Sequence, residues 1–201
     1  MAYAPQLARL LDAQWSVIAH SGQGMFRNLG EAIPPTMKHM PDEFMLTQFP
    51  GWSGLPDPDW SFTTWKADVL IVTLGTNDFA GYSGTSPPYP TEAQFGGAYS
   101  DFLSMARSVY PNAEIFALGT FLSTAQNQFG ICNAYVCNVV KAKNAAGDSH
   151  IHCIDPGFTA SGGAWLPDGT YYIGDWTHPT IAGHTVIAEH LRDIIKPIMG
   201  W

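Results

Sequence analysis

The stretch "ADVLIVTLGTND", residues 67–78, decides the fold class of this chain. Residues 69–72 are all apolar, so a strand here would bury both of its faces, as strands of parallel sheets tend to do. A glycine and short polar residues then end the apolar run at "GTND". We therefore predict a buried parallel strand with Asn77 just beyond its carboxyl end.

Strand and helix patterns alternate on both sides of this stretch. We predict further strands at "WSVIAHSG" (15–22), "AEIFALGTF" (113–121) and "SHIHCIDP" (149–156), with helices near 7–11, 95–109, 132–146 and after Pro179. Such alternation is typical of an α/β fold whose mostly parallel sheet has helices on both faces. Functional sites of these sheets lie beyond the carboxyl ends of the strands. "HSGQG", "GTND" and the segment around "DWTH" fall at that edge.

Length and charge limit the function classes. With 201 residues, the chain is predicted to form one domain, residues 1–201, with a substantial core. Its formal net charge is −8, and its nine Lys and Arg residues form no basic patch. Nucleic acid, polyanionic substrates and anionic membrane surfaces are therefore disfavoured as partners. No apolar run approaches the roughly 20 residues of a membrane span.

The N-terminus and the cysteines bear on localisation and on metal binding. The first residues lack the long apolar segment of a signal peptide, so export would require residues upstream of Met1. Cys132, Cys137 and Cys153 are an odd number, which leaves their pairing open. In "HIHC", an alternating strand would point both histidines away from Cys153, so we predict a strand end without a metal ion or cofactor.

The segment "DWTHPTIAGH", residues 175–184, carries the strongest catalytic pattern. Pro179 suits the first turn of a helix, and apolar residues at helical spacing follow it. Asp175 and His178 therefore lie on the loop that leads into this helix. A carboxylate there can orient an imidazole as a general base, whereas the structural alternative is a capping Asp beside a solvated His.

Two loops at the ends of strands could supply the other half of such a site. The amide of Asn77 could donate to a developing oxyanion, and the glycines of "SGQG" (21–24) would let backbone N–H groups approach a substrate closely. Each motif by itself is also common turn chemistry. We predict that His178 and Asp175 form a hydrogen bond and face Asn77.

Taken together, "GTND" after a buried strand and "DWTHP" before the last helix resemble two signature blocks of the SGNH, or GDSL-type, hydrolases. "AHSGQGMFRN" further resembles the second block of the acetylesterases of the second carbohydrate esterase family. The resemblance implies a three-layer α/β/α sandwich that removes acetyl groups from plant-wall sugars. It implies His178 as general base, with Asp175 orienting it or dispensable. It also implies Asn77 as oxyanion donor, with a backbone N–H near Gly22 or Gly24 as the second.

The chain departs from this family pattern at the nucleophile. The family serine lies in a Gly-Asp-Ser block after a first strand, and this chain starts at the helix that follows. The Gly-Asp-Ser at 147–149 precedes a strand and lies at the wrong edge of the sheet. Ser21, beside the glycines at the correct edge, is the candidate nucleophile. The alternative is a structural serine whose hydroxyl bonds to backbone groups at the turn, with water activated by His178 as the attacking group. A relative that only binds carbohydrate and an acyltransferase are the competing functions. The missing strand would leave neighbouring strands unpaired, which favours either their closure or a homo-oligomer.

A long loop from Ile33 to Trp65 contains several prolines and little periodicity. Long loops in compact domains are usually functional, so we predict that this one forms a wall of the substrate cleft. Trp52, Trp60 and Trp65 would then be available to stack on sugar rings. The alternative is that these tryptophans only anchor the loop to the core.

Overall fold

The structure is a computed structural model that describes residues 1–48, 59–80, 89–121, 128–159, 162–163, 165–166, 168–175 and 177–201. The chain folds into two compact units. The first contains Met1–Ile18, Phe121–Gly130 and Pro156–Trp201, and the second contains Ala19–Thr120 and Ile131–Asp155. Among the described residues, the elements in chain order are α1 (Tyr3–Leu10), α2 (Met40–Phe44), β1 (Val69–Val72), α3 (Thr76–Phe79), α4 (Glu92–Val109), β2 (Glu114–Leu118), α5 (Gln128–Ala145), β3 (Ile151–Ile154), β4 (Phe158–Thr159), β5 (Gly162–Gly163), a 3-10 turn (Gly169–Tyr171) and α6 (Ile181–Met199).

The second unit is built on a parallel sheet with the strand order β1-β2-β3. Three of the four predicted strands are therefore confirmed, although each is shorter than its apolar run. Val72 pairs with Ala117, and Ala117 pairs with Cys153, so the three carboxyl ends meet at one edge. The residues of β2 from Ile115 to Leu118 are fully buried, as expected for a strand with partners on both sides.

The fourth predicted strand, at residues 15–22, is wrong. Residues 12–21 are all exposed, and residues 13–20 belong to no strand. β1 is hydrogen-bonded to β2 and, in the part of the chain that the structure describes, to no second strand. An apolar segment becomes a strand only where a neighbouring strand supplies hydrogen bonds. Residues 13–20 have an apolar composition but form no ladder of hydrogen bonds with another strand.

The predicted helix α4 of the second unit has a clear cause in the sequence. α4 begins at a capping box in which the Thr91 hydroxyl accepts from the Gln94 N–H at 3.3 Å. It buries Phe95, Phe102 and Ala106 at the helical spacing read from the sequence.

On α5, Cys137 forms a disulfide with Cys153 of β3, and Cys132 stays buried with a free thiol. The pairing that the sequence left open is thereby decided, and this cross-link contributes roughly 3 kcal/mol in chain-entropy terms.

The amino edge of the sheet accounts for the "HIHC" histidines. Nε2 of His152 donates to Oε2 of Glu114 at 2.6 Å, and its ring stacks on Phe116. Nδ1 of His150 donates to Oε1 of the same carboxylate at 2.5 Å. Within the described residues, no group of three His, Cys, Asp or Glu side chains could hold a metal ion. The Gly-Asp-Ser at 147–149 also lies at this edge, where Gly147 has a positive φ of 106° after the end of α5.

The first unit is built around the last helix. α1 packs against α6, and Ile187 and Leu191 of α6 are fully buried. α6 begins at Ile181 with Thr180 as its N-cap, so Pro179 lies before the helix rather than in its first turn. A Cβ at position 183 would lie 2.4 Å from the Tyr171 carbonyl oxygen, which explains the glycine there. None of the described helices has the length and apolarity needed to cross a bilayer.

A buried acidic side chain, that of Glu31, holds the described part of the long loop. Glu31 accepts from the backbone N–H groups of Thr36 and Met37, both at 2.7 Å, and pairs with His39 at 2.8 Å. Burial alone would raise the pKa of Glu31, but these bonds and one from Asn28 lower that pKa to about 2. The loop is therefore held in place by its own hydrogen-bond network before α2 begins.

Candidate active site

The Asp175–His178 pair lies on the loop that leads into α6 and has the predicted hydrogen bond. Nδ1 of His178 is 2.5 Å from Oδ2 of Asp175. The imidazole exposes 69% of its side chain, and its Nε2 has no hydrogen-bond partner among the described residues. A carboxylate on Nδ1 selects the tautomer that leaves Nε2 free to accept a proton. The pair therefore has the geometry of an oriented general base.

The same carboxylate also shapes the loop. Oδ1 of Asp175 accepts from the backbone N–H groups of Thr177 and His178, both at 2.9 Å. These bonds, together with the contact to the imidazole, hold the pKa of Asp175 well below its usual range. The loop is fixed at its other side because Ile173 N–H donates to the His178 carbonyl at 3.0 Å. Asp175 thus orients the imidazole and closes a turn within the loop, whereas the N-cap of α6 is Thr180 and not Asp175.

Asn77 lies in the second unit, on α3 directly after β1. Its Nδ2 donates to the Gln23 carbonyl oxygen at 2.6 Å, which ties α3 to the glycine loop, defined here as residues 21–28. A side-chain amide carries two N–H donors, so one remains for a ligand. Asn77 and the glycine loop are therefore brought together at the carboxyl edge of the sheet, as the strand-edge rule predicts.

The two glycines named as oxyanion donors differ in this structure. The N–H of Gly24 donates to Oδ1 of Asn28 at 3.1 Å, so it is already engaged. The N–H of Gly22 has no partner among the described residues. The φ of this residue is 82°, a backbone conformation that glycine adopts more easily than other residues. Ser21, next to it, is exposed, and its hydroxyl has no hydrogen-bond partner in the described part of the chain.

The sequence reading missed the residue that anchors this loop. Asp78 is fully buried and accepts from three consecutive backbone N–H groups, those of Met25, Phe26 and Arg27. A signal for it exists, since an acidic residue directly after a buried strand must find partners inside the protein.

The tryptophans of the long loop are only partly described. Trp60 is half-buried, its backbone N–H donates to the Met45 carbonyl at 2.7 Å, and its side chain hydrogen-bonds to Tyr110. Trp65 is half-buried as well. Trp52 lies outside the described residues. For Trp60 these bonds agree with an anchor to the core, and stacking on sugar stays a prediction for all three.

The prediction that His178 faces Asn77 concerns residues of different units and stays a prediction. Each half is nevertheless complete in itself. The first unit presents an oriented imidazole with a free ring nitrogen, and the second presents an amide beside a glycine turn. An acyl-transfer site requires these two sets of groups.

Comparison with known proteins gives the class. The sequence profile of the GDSL-like Lipase/Acylhydrolase family matches residues 1–186, and the chain belongs to this family. It is 32% identical over 202 residues to the cellulase/esterase CelE of Acetivibrio thermocellus, which covers 100% of this chain and 22% of that protein. It is 25% identical over 202 residues to an acetylxylan esterase / glucomannan deacetylase of Cellvibrio japonicus, covering 99% of this chain and 48% of that one.

A solved structure confirms the predicted fold class. The chain matches a family two carbohydrate esterase from Clostridium thermocellum in complex with cellohexaose, with a TM-score of 0.80 and 31% identity. The match covers 99% of this chain and 54% of that one. The chain thus spans between about a fifth and about half of the relatives named here. The SGNH-type fold and the likeness to family two carbohydrate esterases both agree with the motifs read from the sequence.

Proposed function

We propose that this chain is a carboxylic ester hydrolase that removes acetyl or other short acyl groups from plant-wall carbohydrate. The observation that carries the proposal is the Asp175–His178 pair with its free Nε2. An exposed contact between a carboxylate and an imidazole contributes little to the free energy of folding, so stability does not explain it well. Its place on an exposed loop suits proton transfer to and from a substrate. The relatives named above are carbohydrate esterases, which supports both an ester bond as the point of attack and a carbohydrate as the substrate.

The residues take the following roles in the proposed reaction. His178 Nε2 accepts the proton of the attacking hydroxyl while that oxygen bonds to the ester carbonyl carbon. The second N–H of Asn77 and the N–H of Gly22 stabilise the negative charge on the carbonyl oxygen. The tetrahedral intermediate then collapses, the bond to the sugar oxygen breaks, and that oxygen takes the proton from His178. When the attacking hydroxyl is that of Ser21, an acyl-serine remains; water that gives its proton to His178 then attacks its carbonyl carbon, the bond to the serine oxygen breaks, the acid is released, and Ser21 takes the proton back from His178. Asp175 orients the imidazole throughout.

Ser21 is the nucleophile that the described residues favour over water. It adjoins Gly22, and its hydroxyl is exposed and without a partner in the described part of the chain. The test is labelling of the purified chain with a p-nitrophenyl phosphonate, followed by peptide mass mapping. We expect an adduct on Ser21 that His178→Ala abolishes, with release of acetate from acetylated xylan. Hydrolysis by Ser21→Ala at the unaltered rate would instead establish attack by water.

A second candidate function is carbohydrate binding without hydrolysis. A family two carbohydrate esterase solved in complex with cellohexaose, 31% identical to this chain, favours it. Calorimetric titration with cellohexaose distinguishes the two, in parallel with the acetate assay. Binding with no acetate release and no phosphonate adduct would replace the hydrolase proposal.

We further propose that the chain self-associates. Among the described residues, β1 has a strand on one side only, and unpaired edges are templates for another chain. Separately, Trp15, Val17 and Ile18 expose 56%, 50% and 43% of their surface. Light scattering is expected to show a dimer or a larger species, and Ile18→Lys is expected to shift the population towards the monomer. The control Met37→Lys, at another exposed apolar residue, should leave it unchanged. A monodisperse monomer at high concentration would contradict the proposal.

A further inference from the structure

Asp78 has no direct part in the proposed reaction, yet it is a fully buried carboxylate. Oδ1 accepts from the N–H groups of Phe26 at 2.7 Å and Arg27 at 3.0 Å, and Oδ2 accepts from Met25 N–H at 2.9 Å. Burial raises the pKa of Asp78, and these three backbone bonds oppose the rise. Three converging N–H donors need a group with two acceptor oxygens, which only a carboxylate supplies in this volume.

The glycine loop is folded tightly around this carboxylate. A Cβ on Gly24 would lie 2.7 Å from Oδ2 of Asp78 and 1.9 Å from the Arg27 carbonyl oxygen, so only glycine permits the approach. The Arg27 guanidinium, itself 1% exposed, donates from Nε to the Asp78 carbonyl at 3.1 Å. The loop is therefore attached to both the side chain and the backbone of Asp78.

Asp78 and Asn77 form hydrogen bonds to neighbouring residues of the glycine loop. Asn77 holds the Gln23 carbonyl, and Asp78 holds the three N–H groups that follow, so residues 23–27 are fixed at four positions by two consecutive residues of α3. Gly22 and Ser21 come immediately before the fixed part. Their placement relative to the Asn77 amide depends on these bonds, because the backbone of Gly22 is otherwise held, among the described residues, by the bond from Leu29 N–H to its carbonyl at 2.8 Å.

We propose that Asp78 is a positioning residue that fixes the N–H of Gly22 and the amide of Asn77 in one arrangement for the oxyanion. This role rests on the proposed function. A shift of about 1 Å in such groups can cost about 100-fold in rate, whereas substrate affinity depends little on them. Loss of the Asp78 carboxylate therefore lowers kcat and leaves KM nearly unchanged.

The first experimental arm does not depend on activity. In hydrogen–deuterium exchange of the wild-type chain, the amides of Met25, Phe26 and Arg27 should exchange far more slowly than the exposed turn at 21–22. Asp78→Asn should accelerate their exchange by at least tenfold in a chain that is otherwise folded. Fast exchange at 25–27 in the wild type would overturn the proposal whether or not the chain hydrolyses esters.

The second arm measures kcat and KM on p-nitrophenyl acetate. Asp78→Asn should lower kcat by about 100-fold with KM within twofold. The matched control Asp148→Asn removes a carboxylate of the same unit that binds Arg107 at the opposite edge of the sheet, and it should keep both constants. Should Asp78→Asn not fold, Asp78→Glu keeps both oxygens but displaces them, and the same loss of kcat is expected. Unchanged kcat in a folded Asp78 variant overturns the role, whereas an inactive wild type refutes only the proposed function.

Discussion

Replacing His178 with alanine is expected to lower kcat/KM for p-nitrophenyl acetate and acetylated xylan by about 100- to 10,000-fold, the range of a lost general base. The physical reason is that the attacking hydroxyl keeps its proton when no Nε2 is available to accept it. The side chain is 69% exposed, so its removal creates no cavity and the folded state should persist. Steady-state kinetics together with a thermal melt separate the two effects.

His190→Ala is the matched control for this variant. His190 also lies on the exposed side of the α6 region, where it stacks on Trp165 with ring centroids 4.8 Å apart. Its removal should change kcat/KM by less than about twofold, since nothing in the proposed reaction uses it. Equal activity of wild type and His178→Ala would remove His178 from the site.

Asp175→Asn resolves the role that the family resemblance leaves open. The asparagine keeps an oxygen for the N–H groups of Thr177 and His178, so the loop should remain folded. It cannot stabilise a protonated imidazole as a carboxylate does. A fall in kcat close to that of His178→Ala therefore indicates an orienting carboxylate. Activity near that of the wild type indicates that the histidine works without it.

The largest effect on stability is expected from Phe79→Ala. Phe79 is fully buried on α3, two residues after Asn77, and its ring contacts Phe95, Tyr89 and Tyr135 at centroid distances of 5.2, 5.5 and 6.0 Å. Removing a buried phenylalanine side chain costs about 3–5 kcal/mol, because both transfer free energy and packing are lost. We expect that decrease in the free energy of unfolding, measured by urea titration.

Phe62→Ala provides the comparison. Phe62 is half-buried and contacts Phe44 and Tyr110, each at a centroid distance of 5.4 Å, so its truncation should cost less than that of Phe79. Phe79 also supports α3, which carries the residues that hold the glycine loop. Its loss should therefore reduce kcat under conditions where the variant is still folded. A cost below about 1 kcal/mol would show that this aromatic cluster can repack without it.

Local sequence patterns were sufficient where the structure is determined by neighbouring residues. The apolar run of β1 and the helical spacing of Ile187 and Leu191 on α6 each encode their own element. The Asp175–His178 hydrogen bond is equally local, since its partners lie three positions apart in the sequence. These features could be predicted because their energies come from contacts within a few residues.

The sequence alone misread features that depend on distant partners. Residues 15–22 have the composition of a buried strand, yet a strand exists only where another supplies its hydrogen bonds, and residues 13–20 are exposed. Composition could not distinguish these two outcomes. The odd number of cysteines likewise left three possible pairings until α5 and β3 brought Cys137 and Cys153 together.

The sequence by itself determined the α/β class, the family and the identity of the imidazole and amide that the proposed reaction needs. Only the tertiary structure decided which backbone donor is free, because Gly24 gives its N–H to Asn28 while Gly22 does not. It also decided that the glycine loop folds around the side chain of Asp78. Three N–H groups of the loop converge on this carboxylate, which lies about 50 residues away in sequence. Hydrogen bonds between distant segments form only after the sheet has brought their loops to one edge, and no local pattern encodes them.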